Sequence, residues 1–200
     1  RGAVRRDLTK PPPAPEPPVV AAPTQLSAEL AAAVPVVEAA AVAAAPLKSA
    51  AIQLPSHPDV VTCLKQLLGA DAGLRAESVP LPSDLDAFYV ARLVDSADQE
   101  VGAILLDLRA GAELGGRLLG LPAAAVEEQA KSEPSSDVLD SMNEVVNNLG
   151  GFVNRANPEL RVRVRPLEKP GSAAPDWLGQ PSARGGSATP SGGRLWLVAR

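Results

Sequence analysis

The chain has 200 residues, 21 of them proline and 16 glycine, with 2% aromatic residues and a formal net charge of −4 at pH 7. Net acidity with so few rings supplies neither the basic surface nor the stacking platforms that nucleic-acid binding requires. One cysteine, Cys63, and one histidine, His57, exclude an intrachain disulfide and a Cys/His zinc site, and leave a single imidazole for any nucleophilic set.

Residues 1–55 are mostly Pro, Ala and Val, and Lys10 to Pro18 reads as polyproline II, extended and unable to pack a core by itself. This stretch is expected to be a disordered linker. The alanine-rich run from Gln25 to Ala45 is broken by Glu29, Pro35 and Glu38, whereas a membrane helix needs about 20 uninterrupted apolar residues. No membrane span is expected. The chain starts at Arg1 without a leader, consistent with a fragment of a longer polypeptide that carries another domain upstream.

Residues 56–200, about 145 in number, are enough for one domain with a sizeable core. Pro58 at a first-turn position, followed by Val60, Val61, Leu64, Leu67 and Leu68, predicts a helix of three turns ended by Gly69. Cys63 lies at core spacing there and reads as a small buried hydrophobe; His57 reads as a loop or helix-entry residue. Ala87 to Val94 and Glu100 to Leu108 flank Asp95-Ser-Ala-Asp98 and predict an antiparallel hairpin. Helices are expected near Ala112 to Leu119 and Ala123 to Ala130; Gly115-Gly116 lacks the spacing of a dinucleotide loop, and no Gly-Lys-Ser or Gly-Lys-Thr occurs.

The next helix carries the most informative pattern. Asp140, Glu144 and Asn147 stand at i, i+4 and i+7, within roughly 60° of one another, and Gly151 and Asn154 extend that face. Val138, Met142, Val145, Leu149 and Phe152 form the opposite, apolar stripe, and Ser135-Ser136-Asp137 supplies the start. Solvated helix faces usually carry long Lys, Arg and Glu side chains. This one presents Asn143, Asn147, Asn148, Gly150, Gly151 and Asn154, all poor helix formers. Such a face keeps short amides and bare backbone for close contact. Beyond it, Leu160-Arg-Val-Arg-Val-Arg165 alternates, predicting a strand with Leu160, Val162 and Val164 covered and three arginines on a solvated face. The Ser/Gly-rich segment Ser172 to Gly193 stays open between disorder and a docking surface, and Leu195 to Ala199 predicts a last strand. The fold class expected is α+β, an α/β sandwich of an antiparallel sheet with helices packed on it.

The run Asp140-Ser-Met-Asn-Glu144-Val-Val-Asn147, with Pro170 after twenty-two intervening residues, resembles the signature of the CheC and CheX family of chemotaxis phosphatases. The order of a strand hairpin, Gly-Ala-Ile-Leu-Leu at 102–106 and Leu-Gly-Gly-Arg-Leu-Leu-Gly at 114–120 is similar to CheX as well. The likeness covers roughly residues 56–200, with Arg165-Pro166 as the alternative to Lys169-Pro170 for the aligned proline. Only one Glu-x-x-Asn helix is present, which favours the one-site CheX pattern over the two-site CheC pattern.

The resemblance implies a CheC/CheX-like fold and a cytoplasmic bacterial phosphatase of chemotaxis or related two-component signalling, which hydrolyses the aspartyl phosphate on a CheY-type response regulator. An acyl phosphate is an activated mixed anhydride, so an in-line water and charge stabilisation suffice. By likeness Asn147 orients that water, since an amide accepts from water and donates to a phosphoryl oxygen. Glu144 pairs with a lysine of the regulator, and Asp140 bonds the regulator or supports Glu144. Asn143, Asn148, Gly151 and Pro170 are expected at the docking surface. This chain binds no metal and no cofactor; Mg²⁺ belongs to the regulator. Family likeness further implies homodimers formed through the sheet, though the sequence itself shows no interface. The alternative is a non-catalytic CheC/FliM-like module, akin to the flagellar switch relatives, that docks a response regulator or a signalling complex.

Overall fold

The computed structural model describes residues 52–77, 81, 84–172 and 174–200. Most of the linker expected over 1–55, with the run from Gln25 to Ala45, lies outside the described residues. Residues 52–55 belong to the packed part: Ile52 is buried, and Asn157 clamps Gln53 by accepting from its N–H and donating to its carbonyl, both at 2.7 Å.

Helix α1, His57–Leu68, begins with a reciprocal cap. The Ser56 hydroxyl accepts from the Asp59 N–H while the Asp59 carboxylate accepts from the Ser56 N–H, satisfying two free donors of the first turn. It ends at Gly69 in the left-handed conformation. After the short strand β1, Arg75–Glu77, come β2, Tyr89–Val94, and β3, Glu100–Leu106, paired from Tyr89↔Leu106 to Val94↔Glu100. The Asp95 carboxylate closes their turn by accepting from the Ala97 and Gln99 N–H groups.

The hairpin stops two residues short of Leu108. The Asp107 side chain accepts from the Ala110 N–H at 2.7 Å and so starts α2, Leu108–Leu118, four residues before the helix expected at Ala112. Burial pushes the Asp107 carboxyl above the ordinary range, against the lowering effect of the amides it accepts from. Helices α3, Ala123–Gln129, and α4, Ser136–Ala156, follow.

The strand expected over 160–165 forms a ladder only at β4, Arg163–Val164. Upstream of it Val162 N–H is taken by the Asn154 side chain and Arg161 adopts a left-handed φ of 48°, which breaks the ladder. Downstream the segment stays beside β2, with Arg165 N–H donating to Arg92 O and Glu168 pairing Val90.

Within the segment from Ser172 to Gly193 the described residues include a 3-10 turn at Asp176–Gly179 and β5, Ala183–Ala188, which pairs β6, Arg194–Ala199. The six strands run antiparallel to their neighbours in the order β1-β5-β6-β3-β2-β4. This is the α+β architecture anticipated from the sequence.

One face of the sheet, carrying Leu93, Ile104, Leu106, Leu195 and Leu197, is covered by Leu64 of α1, Leu114 of α2 and Met142, Val145 and Leu149 of α4. The other carries Val90, Ala103, Leu105, Trp196 and Val198 beneath Phe88 and Leu178. Phe88 meets Trp196 edge to face at 5.3 Å. No helix among the described residues is long and apolar enough to cross a membrane.

Candidate functional site

Helix α4 lies between two demands. Val138, Met142, Val145, Val146, Leu149 and Val153 are fully buried against the sheet and α2, while Asp140, Glu144, Asn147 and Gly151 are exposed along one stripe. Phe152, expected in the apolar stripe, is only half-buried; it sits at the rim under the Arg155 guanidinium, 4.4 Å from the ring centroid.

The weak helix formers of α4 divide by what they touch. Gly150 does not belong to the polar face: it is buried, and a Cβ there would lie 2.0 Å from Val164 Cγ2, so β4 requires glycine at that contact. Asn154 accepts from the Val162 N–H at 2.9 Å. Asn143, expected at the docking surface, is half-buried; it accepts from the Leu167 N–H at 2.9 Å and donates to the Leu139 carbonyl at 3.1 Å. Its amide is used inside the molecule. Asn148 donates to both the Glu144 carbonyl, at 2.9 Å, and the Glu144 Oε1, at 2.8 Å, which fixes that carboxylate along the helix surface. The Asn147 side chain makes no hydrogen bond among the described residues, and a Cβ at Gly151 would meet nothing within 4 Å.

Pro170 stands apart from α4, exposed in a turn where Gly171 has φ 83° and Ser172 N–H donates to Lys169 O. Pro166, the alternative, is exposed too. Both lie on the segment that the Asn143–Leu167 bond ties to α4.

A cleft of about 420 Å³ opens between α1 and α4, and Asn147, Asn148, Gly151 and Arg155 line one wall with Cys63 and Gln66 opposite. Burial pushes the Cys63 thiol up to about 11, against a weaker downward pull from Arg155. At that value it is protonated near neutral pH and is no nucleophile. Sequence reasoning did not anticipate the cleft, because Gln66 and Arg155 lie on separate helices with no shared motif. No group of His, Cys, Asp and Glu able to hold a metal occurs among the described residues. The arrangement therefore offers a fixed carboxylate, an unengaged carboxamide about one turn further along, and a cleft beside that amide.

No protein-family model matches the chain, and no curated protein matches it. Solved structures do. A chain of the FliM–SpeE complex from H. pylori is 8% identical, with a TM-score of 0.53 over 71% of this chain and 80% of that one. A chain of the FliG–FliM complex from H. pylori is 9% identical, with a TM-score of 0.51 over 71% of this chain and 85% of that one. Chemotaxis protein CheX from Vibrio vulnificus is 14% identical, with a TM-score of 0.47 over 71% of this chain and 91% of that one. At such identities the likeness is one of fold: an antiparallel sheet with helices packed against it.

Proposed function

We propose that the chain accelerates hydrolysis of the aspartyl phosphate on a CheY-type response regulator in the cytoplasm, with Asn147 orienting the attacking water and Glu144 pairing with a basic group of the regulator. The observation that carries this reading is the Asn147 carboxamide, exposed and without a partner among the described residues, about one turn beyond a carboxylate that Asn148 holds in place. An amide so placed can accept from water and donate to a phosphoryl oxygen together. Positioning and charge stabilisation are nearly all that phosphoryl transfer asks of a protein. The Mg²⁺ is held by the regulator's own acidic cluster, and this chain contributes no cofactor.

A second reading has its own support, since two matched chains with TM-scores above 0.5, at 0.53 and 0.51, come from complexes that contain FliM. On that reading the same α4 face docks a signalling partner without hydrolysis. The decay of a labelled phospho-receiver separates the two. Under the phosphatase reading, the full chain shortens the receiver's half-life and Asn147→Ala abolishes the acceleration, by ~100-fold or more if water orientation is lost. Equal acceleration by the variant refutes the role of Asn147; binding with no acceleration by the wild type establishes the docking reading.

A further inference from the structure

Along its axis the exposed side of α4 changes from acid to amide to base. Asp140 and Glu144 occupy the first half, Asn147 the middle and Arg155 the last turn. At 1.5 Å per residue, Glu144 and Asn147 differ by about 4.5 Å in height and Glu144 and Arg155 by about 16 Å. The α1–α4 cleft lies towards the basic end, and among the described residues no carboxylate lines it. Its polar groups are the amides of Gln66, Asn147 and Asn148 and the guanidinium of Arg155.

Arg155 is held but not neutralised. Stacking over Phe152 at 4.4 Å and the helix C-terminus both favour its place, yet none of the ion pairs among the described residues includes it. A preorganised guanidinium flanked by amide donors is suited to a planar carboxylate. At the other pole, Asn148 fixes the Glu144 carboxylate at 2.8 Å.

We infer that the α1–α4 cleft is a carboxylate subsite for the docked receiver domain: Arg155, assisted by Gln66, pairs with an acidic side chain of the receiver while Glu144 pairs with a basic one. The two poles admit the partner in one direction only and set its acyl phosphate against Asn147. The inference rests on the reading of Asn147 given above. It adds two residues that no part of the Glu-x-x-Asn pattern includes.

The test uses the full chain and the CheY-type receiver domains of the same genome, each loaded with beryllofluoride and Mg²⁺, with Kd measured at low and high salt. Arg155→Glu is expected to weaken binding at least ~10-fold and to flatten its salt dependence. Arg155→Lys recovers part of the loss. Gln66→Glu, which places a repelling charge on the opposite wall, weakens binding independently of Arg155, so the inference stays testable if Arg155→Glu does not fold. In phospho-receiver decay, Arg155→Ala raises the concentration for half-maximal acceleration, and Arg155→Lys reverses part of that rise. Unchanged Kd and salt dependence for both charge variants, with Asn147→Ala inactive, overturn the subsite and leave the phosphatase reading standing. Weakened binding with Asn147→Ala fully active does the reverse. If no receiver binds at any salt, both fall.

Discussion

Asn143 and Asn147 are the same residue type one turn apart on one helix, and truncating each to alanine should have opposite consequences. Asn143 Oδ1 accepts from the Leu167 N–H at 2.9 Å in a part-buried setting. Its removal strands that donor, at a cost of about 1–3 kcal/mol. The second bond, to Leu139 O at 3.1 Å, costs little to lose because that carbonyl keeps its place in the helix ladder. Alanine is a better helix former by about 0.6 kcal/mol, so Asn143→Ala should destabilise by a net ~1–2 kcal/mol. Asn147 has no internal bond to lose, and its replacement gains the propensity term alone; Asn147→Ala should be neutral to ~0.5 kcal/mol more stable. Urea unfolding followed by circular dichroism, with unchanged slopes, reads the difference directly. In phospho-receiver decay the order inverts: folded Asn143→Ala keeps its acceleration and Asn147→Ala loses it. Equal unfolding midpoints for the two variants would refute the assignment of Asn143 to structure and Asn147 to function.

Two further outcomes follow from packing. A Cβ at Gly193 would lie 2.3 Å from the backbone nitrogen of Ala110 and 2.7 Å from its Cα, where no side chain can yield; Gly193→Ala should cost ~3 kcal/mol, while Gly185→Ala, with nothing within 4 Å, should stay within ~0.5 kcal/mol of wild type by urea titration. Cys63 is 2% exposed, with its thiol pushed up to about 11 by burial; iodoacetamide at pH 8 should leave it unmodified in the native protein and label it in urea, and rapid native labelling would contradict the burial.

What the sequence discloses follows from the range of the forces involved. Helix α1 and the β2–β3 hairpin are legible because their signals are local: Pro58 in the first turn, Gly69 at the end and the Asp95-Ser-Ala-Asp98 turn each act within about five residues. Strand β5 is Ala-Arg-Gly-Gly-Ser-Ala, without a single β-branched or aromatic residue. It is a strand because β1 and β6 pair with it on both sides. A Cβ at Gly186 would lie 2.7 Å from Glu77 O and 3.2 Å from Trp196 Nε1, so the glycine that hides the strand in the sequence is what lets it fit. In the site, the 3.6-residue period places Asp140, Glu144 and Asn147 on one exposed stripe. It cannot tell Asn143 from Asn147, because the partner that separates them, Leu167, is 24 residues away.

Those distant partners sharpen the meaning of the weak helix formers in α4. Four asparagines and two glycines in one helix cost roughly 0.6 and 1 kcal/mol each against alanine. Asn143 and Asn154 offset theirs through bonds to Leu167 and Val162, Gly150 through its contact with Val164, and Asn148 through two bonds to Glu144. Only Asn147 and Gly151 return nothing to the fold. About 1.6 kcal/mol of helix stability is thus given up at two adjacent turns that both line the α1–α4 cleft. The uncompensated cost is confined to the wall where the proposed chemistry needs a free amide and room for an approaching backbone.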